Sequence, residues 1–429
     1  MRIGCMAVLA LLLTTCGPAS PSWSQAPRTT AAKSPVPPDP TLDEIDQIVR
    51  QRFYSEATLE KVQWGKSVAN ARQKLTNTRS LADHGTVFEE LLASLHTSHT
   101  EYVPRTDPKY WELASIFEEL FAASPNQCPN KEKTLPPIPV TWQDIGVVWK
   151  RAGAQWFVGG VLDGGPAQKA GLLSGDEVLQ ADGKPFHPVK SFEGRQDKSV
   201  ELTFRRRKSE APARLTVVPR TSKPHGSFQE ALAKSARILD ANGERIAYIR
   251  IWSWTGDAMH QELKRAIKKL NEQKPTGYIL DIRDGWGGAA PDYVDIFQKE
   301  APVLVSKNRA GDEFRIDSKI RVPAAVLINP GSRSGKETIA YAIKKHALAT
   351  LVGEPTAGAM LPGSPFCLQN GDLLYVATST NTVDGETLEG RGVPPDVAIP
   401  FDIRYAAGRD PQLDAAVHVL ASRSGVKAR

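Results

Sequence analysis

The stretch Val322–Glu337, VPAAVLINPGSRSGKE, decides the fold. Its first seven residues are a short apolar run, its middle is a glycine and serine turn, and TIAYAIKKHALA, Thr338–Ala349, follows with apolar residues at helical spacing. A continuous apolar run between a turn signal and a helix reads as a strand covered on both faces. Working outward, the same order recurs. IAYIRIW (Ile246–Trp252) precedes the helix-patterned MHQELKRAIKKLNEQ (Met259–Gln273), and GYILDIRDGWGG (Gly277–Gly288) precedes the helix-like DYVDIFQKE (Asp292–Glu300). Strand and helix in alternation predict parallel pairing with helices on the sheet faces. Ligands in such folds gather at the carboxyl ends of strands. The turns Gly285–Gly288 and Gly331–Gly335 are therefore expected to face one another across a cleft.

Within the second turn, Ser334 has two readings. A serine at this place caps the helix by accepting from its free amides. Alternatively it is a nucleophile at a helix N-terminus, where amides and the positive end of the dipole favour a developing oxyanion. The turn Gly285-Trp286-Gly287-Gly288 is either a tight turn or an anion nest, and it lacks the P-loop lysine and the dinucleotide-binding spacing. Lys336, two residues along the helix, is poorly placed as a base because residues two apart do not share a face. His99 lies in the hydroxyl-rich LHTSHTEYV, Leu95–Val103, and Glu389 in the glycine and proline turn LEGRGVPPDVAI. Each has a plain surface-loop reading. Together they are what a serine needs, since a carboxylate fixes the tautomer of a histidine base.

The chain has 429 residues, too many for one core, and an ordinary apolar and charged content. Its net charge of +6 is thinly spread, and the basic cluster Arg205–Lys208 reads as a solvated hairpin tip, so no nucleic-acid partner is expected. Residues 1–26 read as an export signal, with Arg2 ahead of the apolar Met6–Leu13. Cleavage after Ala26 and lipidation of Cys16, which would tether the protein to a membrane, are both open. Residues 27–41 form a proline-rich linker. Helical spacing marks a domain at 42–105, a connector follows at 106–139, short strands mark a β-rich domain at 140–221, and the alternating core spans 226–425. The fold class is multidomain α+β. After export, Cys128 and Cys367 are either a disulfide or two buried thiols.

These segments in their order resemble the S41 peptidases, the family of carboxyl-terminal processing and tricorn-type proteases. Asp144–Val147 with Gly164–Lys184 (GGPAQKAGLLSGDEVLQADGK) is similar to a PDZ domain, and LDIRDGWGG, VLINPGSRSGKE, VGEPTAGA and LEGRGVPPDVAI follow in the family's order over residues 42–420. The resemblance implies a helical N-terminal domain, a PDZ domain and an α/β core of the ClpP/crotonase-like type. It implies Ser334 as nucleophile, Gly335 and Gly287 as oxyanion donors, and Ile145-Gly146-Val147 as a peptide-binding loop. Ala359 stands where the processing branch carries its base lysine. The tricorn-type branch uses a serine–histidine pair instead, which Ser98 and His99 match, with Glu389 completing the set. The expected activity is that of an exported, periplasmic or envelope serine endopeptidase, without metal or organic cofactor, acting on unfolded or C-terminal segments of proteins with an accessible terminus. Two rivals remain: a catalytically inactive peptide-binding scaffold, and an esterase or transacylase for a non-peptide acyl group.

Overall fold

In the computed structural model, which describes residues 39–78, 81–123, 128, 136–241 and 243–425, the run Ala324–Ile328 is a fully buried strand. Side chains alternate across a strand, so a strand buried on both faces must meet two cores. Ala324, Val326 and Ile328 join a core with the helices Gly256–Asn271 and Gly335–Lys345, whereas Ala325 and Leu327 join another with the helix Pro411–Gly425. The strand Gly277–Asp281 divides likewise, with Tyr278 and Leu280 on one side and Ile279 on the other.

Six strands make this sheet, in the order 237–241, 244–250, 277–281, 324–328, 350–353, 397–398. Every pairing is parallel except that of the first two, which form a hairpin. The parallel sheet expected from the alternating pattern is present. Two details differ. Pro291–Phe297 is a 3-10 helix, which suits burial of Tyr293 and Ile296 three residues apart. Leu304–Lys307 and Glu313–Ile316 form an unanticipated exposed hairpin, whose mixed charged and apolar sequence lacks a clean period-two pattern.

The middle segment is β-rich, as its short strand-like runs suggest. Its main sheet runs 147–152, 155–161, 177–181, 200–205, 213–217, with Lys184–Pro185 beside the third strand. The strands Trp142–Asp144 and Arg220–Ser222 pair and draw the two ends of the segment together. In the basic cluster, Arg206 is bound to the buried Asp176, Arg205 to Glu177 and Arg207 to Glu210.

The N-terminal helices do not close a core alone. Leu42, Ile45, Val49, Trp64, Phe88 and Leu92 pack with Leu361, Phe366, Leu374 and Val376 from far along the chain. The strand Glu101–Val103 pairs with Leu373–Ala377, which pairs with Gly363–Cys367. The expected connector is itself partly helical, over Pro108–Ile116 and Glu118–Ala123, and its Tyr110, Leu113 and Phe121 enter the main core. Cys128 and Cys367 are bonded, with 4.8 Å between their Cα atoms, so the disulfide reading holds. Among the described residues no helix is long and apolar enough to cross a membrane. The export signal, the proline-rich linker as far as residue 38, and Cys16 lie outside the described residues.

Candidate active site

The turns that follow strands 277–281 and 324–328 do more than face one another, because their backbones touch. A Cβ placed on Gly287 would lie 2.5 Å from the Arg333 carbonyl oxygen and 2.7 Å from Ser334 Cβ. One on Gly335 would lie 2.3 Å from the Ala289 nitrogen. Backbone neighbours cannot swing aside, so the small residues between strand and helix are required by contact between the turns. Side chains stitch the same seam. Asn329 accepts from the Asp284 amide at 3.0 Å and donates to its carboxylate at 3.0 Å, while the buried Ser332 hydroxyl donates to the Ile282 carbonyl at 3.0 Å.

Ser334 stands at the N-cap position with φ 57° and ψ −130°, a left-handed conformation costly for a residue with a Cβ. Its amide donates to the Ala359 carbonyl at 2.9 Å and to the Glu337 carboxylate at 3.1 Å. Glu337, fully buried, also accepts from the Thr356 hydroxyl at 2.7 Å and from the amides of Gly358 and Ala359 at 2.7 and 2.8 Å. Four donors thus hold one carboxylate, and the carboxylate holds the strained residue. The amides of Gly287 and Gly335 find no acceptor among the described residues.

His99 sits just after the N-terminal helices, at φ 50°, and is buried against the edge of Tyr375 at 5.4 Å between ring centres. Its Nδ1 lies 3.0 Å from the Ser98 hydroxyl, which donates to Glu389 at 2.9 Å. The same carboxylate accepts from the amides of Ser98 at 2.9 Å, Met360 at 2.7 Å and Leu361 at 3.1 Å. Glu389, Ser98 and His99, separated by some 290 positions in sequence, therefore form one hydrogen-bonded chain. The segment Ala359–Leu361 links it to Ser334, with the Ala359 carbonyl on the Ser334 amide and the next two amides on Glu389. Among the described hydrogen bonds none joins His99 to the Ser334 hydroxyl. Ala359, where a lysine was the rival base, lines the neighbouring cleft with a methyl group.

The electrostatics of His99 depart from those of a free imidazole. Burial, then the charge of Arg333, push the His99 pKa down to about 3, against the pull of Glu101. Burial would raise Glu101, but Lys109 at 2.7 Å and Arg333 outweigh it and hold it low. Beside the site lies a cleft of about 600 Å³, bounded by Glu101, Trp149, Lys150, Trp286, Arg333 and Ala359 among others. Trp286 is fixed by a 2.7 Å bond from its indole to Glu112, whose pKa burial raises to about 7.

Of the loop Ile145-Gly146-Val147, both apolar side chains lie in the core of the middle segment. The Gly146 amide is taken by the Asp144 carboxylate, so it is not free for a substrate carboxylate. Sequence reasoning did not single out Arg333, Glu337, Trp286 or Glu112. Glu337 had a signal, the spacing Ser-x-x-Glu of a capping box ahead of an apolar run. Trp286 and Glu112 had none, because their bond joins positions 174 apart.

Comparison with known proteins gives this arrangement a context. Residues 245–399 match the model of peptidase family S41. The chain is 28% identical over 277 residues to a carboxyl-terminal-processing protease of Synechocystis, covering 58% of this chain and 63% of that one. It is 28% identical over 266 residues to a carboxy-terminal-processing protease of Bartonella bacilliformis, covering 57% and 58%. These matches span less than two thirds of either relative. Among solved structures, the tricorn protease aligns with a TM-score of 0.51 at 17% identity, over 89% of this chain and 36% of that one, a likeness of fold.

Proposed function

From the premise that residues 245–399 match peptidase family S41, we propose that this chain is an exported serine endopeptidase working through an acyl-enzyme on Ser334. The observation that carries the reading is the chain Glu389–Ser98–His99, tied by Ala359–Leu361 to a strained serine at a helix N-terminus. In the reaction His99 Nε2 takes the Ser334 proton while Oγ attacks the scissile carbonyl. Ser98 keeps Nδ1 in hydrogen-bond contact with Glu389, which stabilises the imidazolium. The unengaged amides of Gly335 and Gly287 receive the oxyanion, aided by the dipole of the helix they begin or touch. His99 then returns the proton to the leaving amine, and water hydrolyses the ester. A base absent from hydrogen-bond contact in the free enzyme is common, since such contacts tighten when substrate binds.

The names of the relatives above, carboxyl-terminal-processing proteases, support carboxyl-terminal segments of proteins as the substrate class, approaching through the cleft beside Trp286. The middle segment would act as a PDZ domain, although the engaged Gly146 amide points to a wall or lid rather than to carboxylate capture. Export agrees with the Cys128–Cys367 disulfide, a bond favoured in oxidising compartments.

A second reading, an inactive peptide-binding scaffold, draws on the methyl side chain of Ala359 and the depressed His99. Labelling with a fluorophosphonate separates the two. The wild type should label, with Ser334→Ala and His99→Ala abolishing the signal; a folded wild type that stays unlabelled would leave Ser334 as a helix cap.

A further inference from the structure

We propose that Lys336 is a positioning residue of the oxyanion site, fixing the carbonyls of Trp252 and Asp284 and thereby holding the glycine turn against the helix that begins beside Ser334. The inference rests on the proposed acyl-enzyme reading and deepens it.

Lys336 is fully buried, a place lysine rarely occupies because its ammonium must be desolvated. What keeps it there is backbone. Its Nζ donates to the Trp252 carbonyl at 3.1 Å and to the Asp284 carbonyl at 2.6 Å. Those two oxygens bracket the turn. The Trp252 carbonyl also accepts from the Trp286 amide at 2.8 Å, and the Asp284 carbonyl belongs to the peptide that enters Gly285. Lys336 is meanwhile the second residue of the helix whose first amide is that of Gly335. One side chain therefore sets the distance between the two amides expected to receive the oxyanion. It is not placed as the serine's base, because its ammonium is engaged by the two backbone carbonyls and makes no hydrogen bond to Ser334 among those described.

The charge on this clamp is labile. Burial, then the neighbouring Arg250, lower the Lys336 pKa to about 7, while Asp284 and Asp281 oppose the shift. Arg250 ends the strand 244–250, Asp281 ends the strand 277–281 that pairs with it, Asp284 lies in the turn that follows, and the buried Glu337 is on the same helix. Raising the pH through about 7 removes the ammonium charge, so both carbonyl contacts weaken and kcat should fall on the alkaline side.

The test uses the full-length enzyme, with Lys336→Met and Lys336→Gln assayed for peptide hydrolysis across pH 6 to 9 alongside thermal melting. Loss of a donor from an oxyanion site costs about a hundredfold to a thousandfold, so displacing one is expected to cost at least about tenfold in kcat with KM nearly unchanged. The alkaline fall of the wild type should vanish in both variants. Wild-type kcat and an unchanged pH profile in a folded variant would overturn the proposal. Should both variants unfold, the wild-type profile decides, since a kcat that is flat through pH 7 to 9 is equally fatal. A wild type that fails to label with fluorophosphonate sinks the acyl-enzyme reading itself, an outcome distinct from a labelled wild type matched by Lys336→Met.

Discussion

At the scale of the residue, His99 shows how burial changes a familiar group. A free imidazole would be half protonated near pH 6.5, yet this one stays neutral until about pH 3 because the charged form cannot be hydrated and Arg333 repels it. For the proposed role of His99 as base, neutrality is what is needed before it takes a proton, and the cost would appear as weak basicity, which the Ser98–Glu389 chain would have to offset when charge develops. The His99 ring resonances should therefore remain unchanged between pH 8 and 5, with His99→Gln used to assign them. Titration near 6.5 would mean that solvent reaches the ring. Stability carries the same sign. Below pH 6.5 the unfolded chain binds a proton that the folded chain refuses until about pH 3, so folding weakens on acidification through that window.

At the scale of the element, the helix Gly335–Lys345 and the turn Gly285–Gly288 behave as one part. On propensity alone, Gly335→Ala would favour the helix by about 1 kcal/mol. The added Cβ meets the Ala289 nitrogen at 2.3 Å and its carbonyl oxygen at 2.5 Å, and backbone cannot yield without separating the turns. Overpacking of this kind costs about 1–3 kcal/mol, so the clash should win. The variant is expected to melt below the wild type and to lose about a hundredfold or more in labelling rate. A variant that labels at the wild-type rate would show that the contact does not set the oxyanion geometry. Much of this element was legible beforehand, because the apolar run, the glycines and the helical spacing are all local. The mutual contact was not, since it joins two turns roughly fifty residues apart.

At the scale of the whole molecule, the N-terminal helices are held by distant chain. Glu101–Val103 pairs with Leu373–Ala377, Glu389 reaches Ser98 and through it His99, and the Cys128–Cys367 disulfide closes a separation of 239 residues beside the same sheet. Cross-linking a long loop restricts the unfolded chain, worth about 2–4 kcal/mol. Replacing Cys128 and Cys367 together by alanine should lower the urea midpoint and, because Cys367 ends the strand beside Leu373–Ala377, reduce labelling of Ser334 at temperatures well below the melt. Identical midpoints for the two proteins would remove the disulfide from the account of stability.

By itself the sequence determined what local pattern can carry. It specified a parallel sheet with its glycine turns at the carboxyl ends, a serine at a helix N-terminus, a β-rich middle segment and a polar histidine segment after the first helices. Periodicity and turn chemistry are properties of neighbours, and neighbours are read directly. The tertiary structure alone decided that the N-terminal helices share their core with residues beyond 360, that Glu389 meets Ser98 rather than solvent, and that Lys336 lies under the turn with its charge on two carbonyls. It also decided that His99 is buried deeply enough to lose its ordinary pKa. Those outcomes depend on which distant surfaces exclude water together, and no spacing along the chain records that.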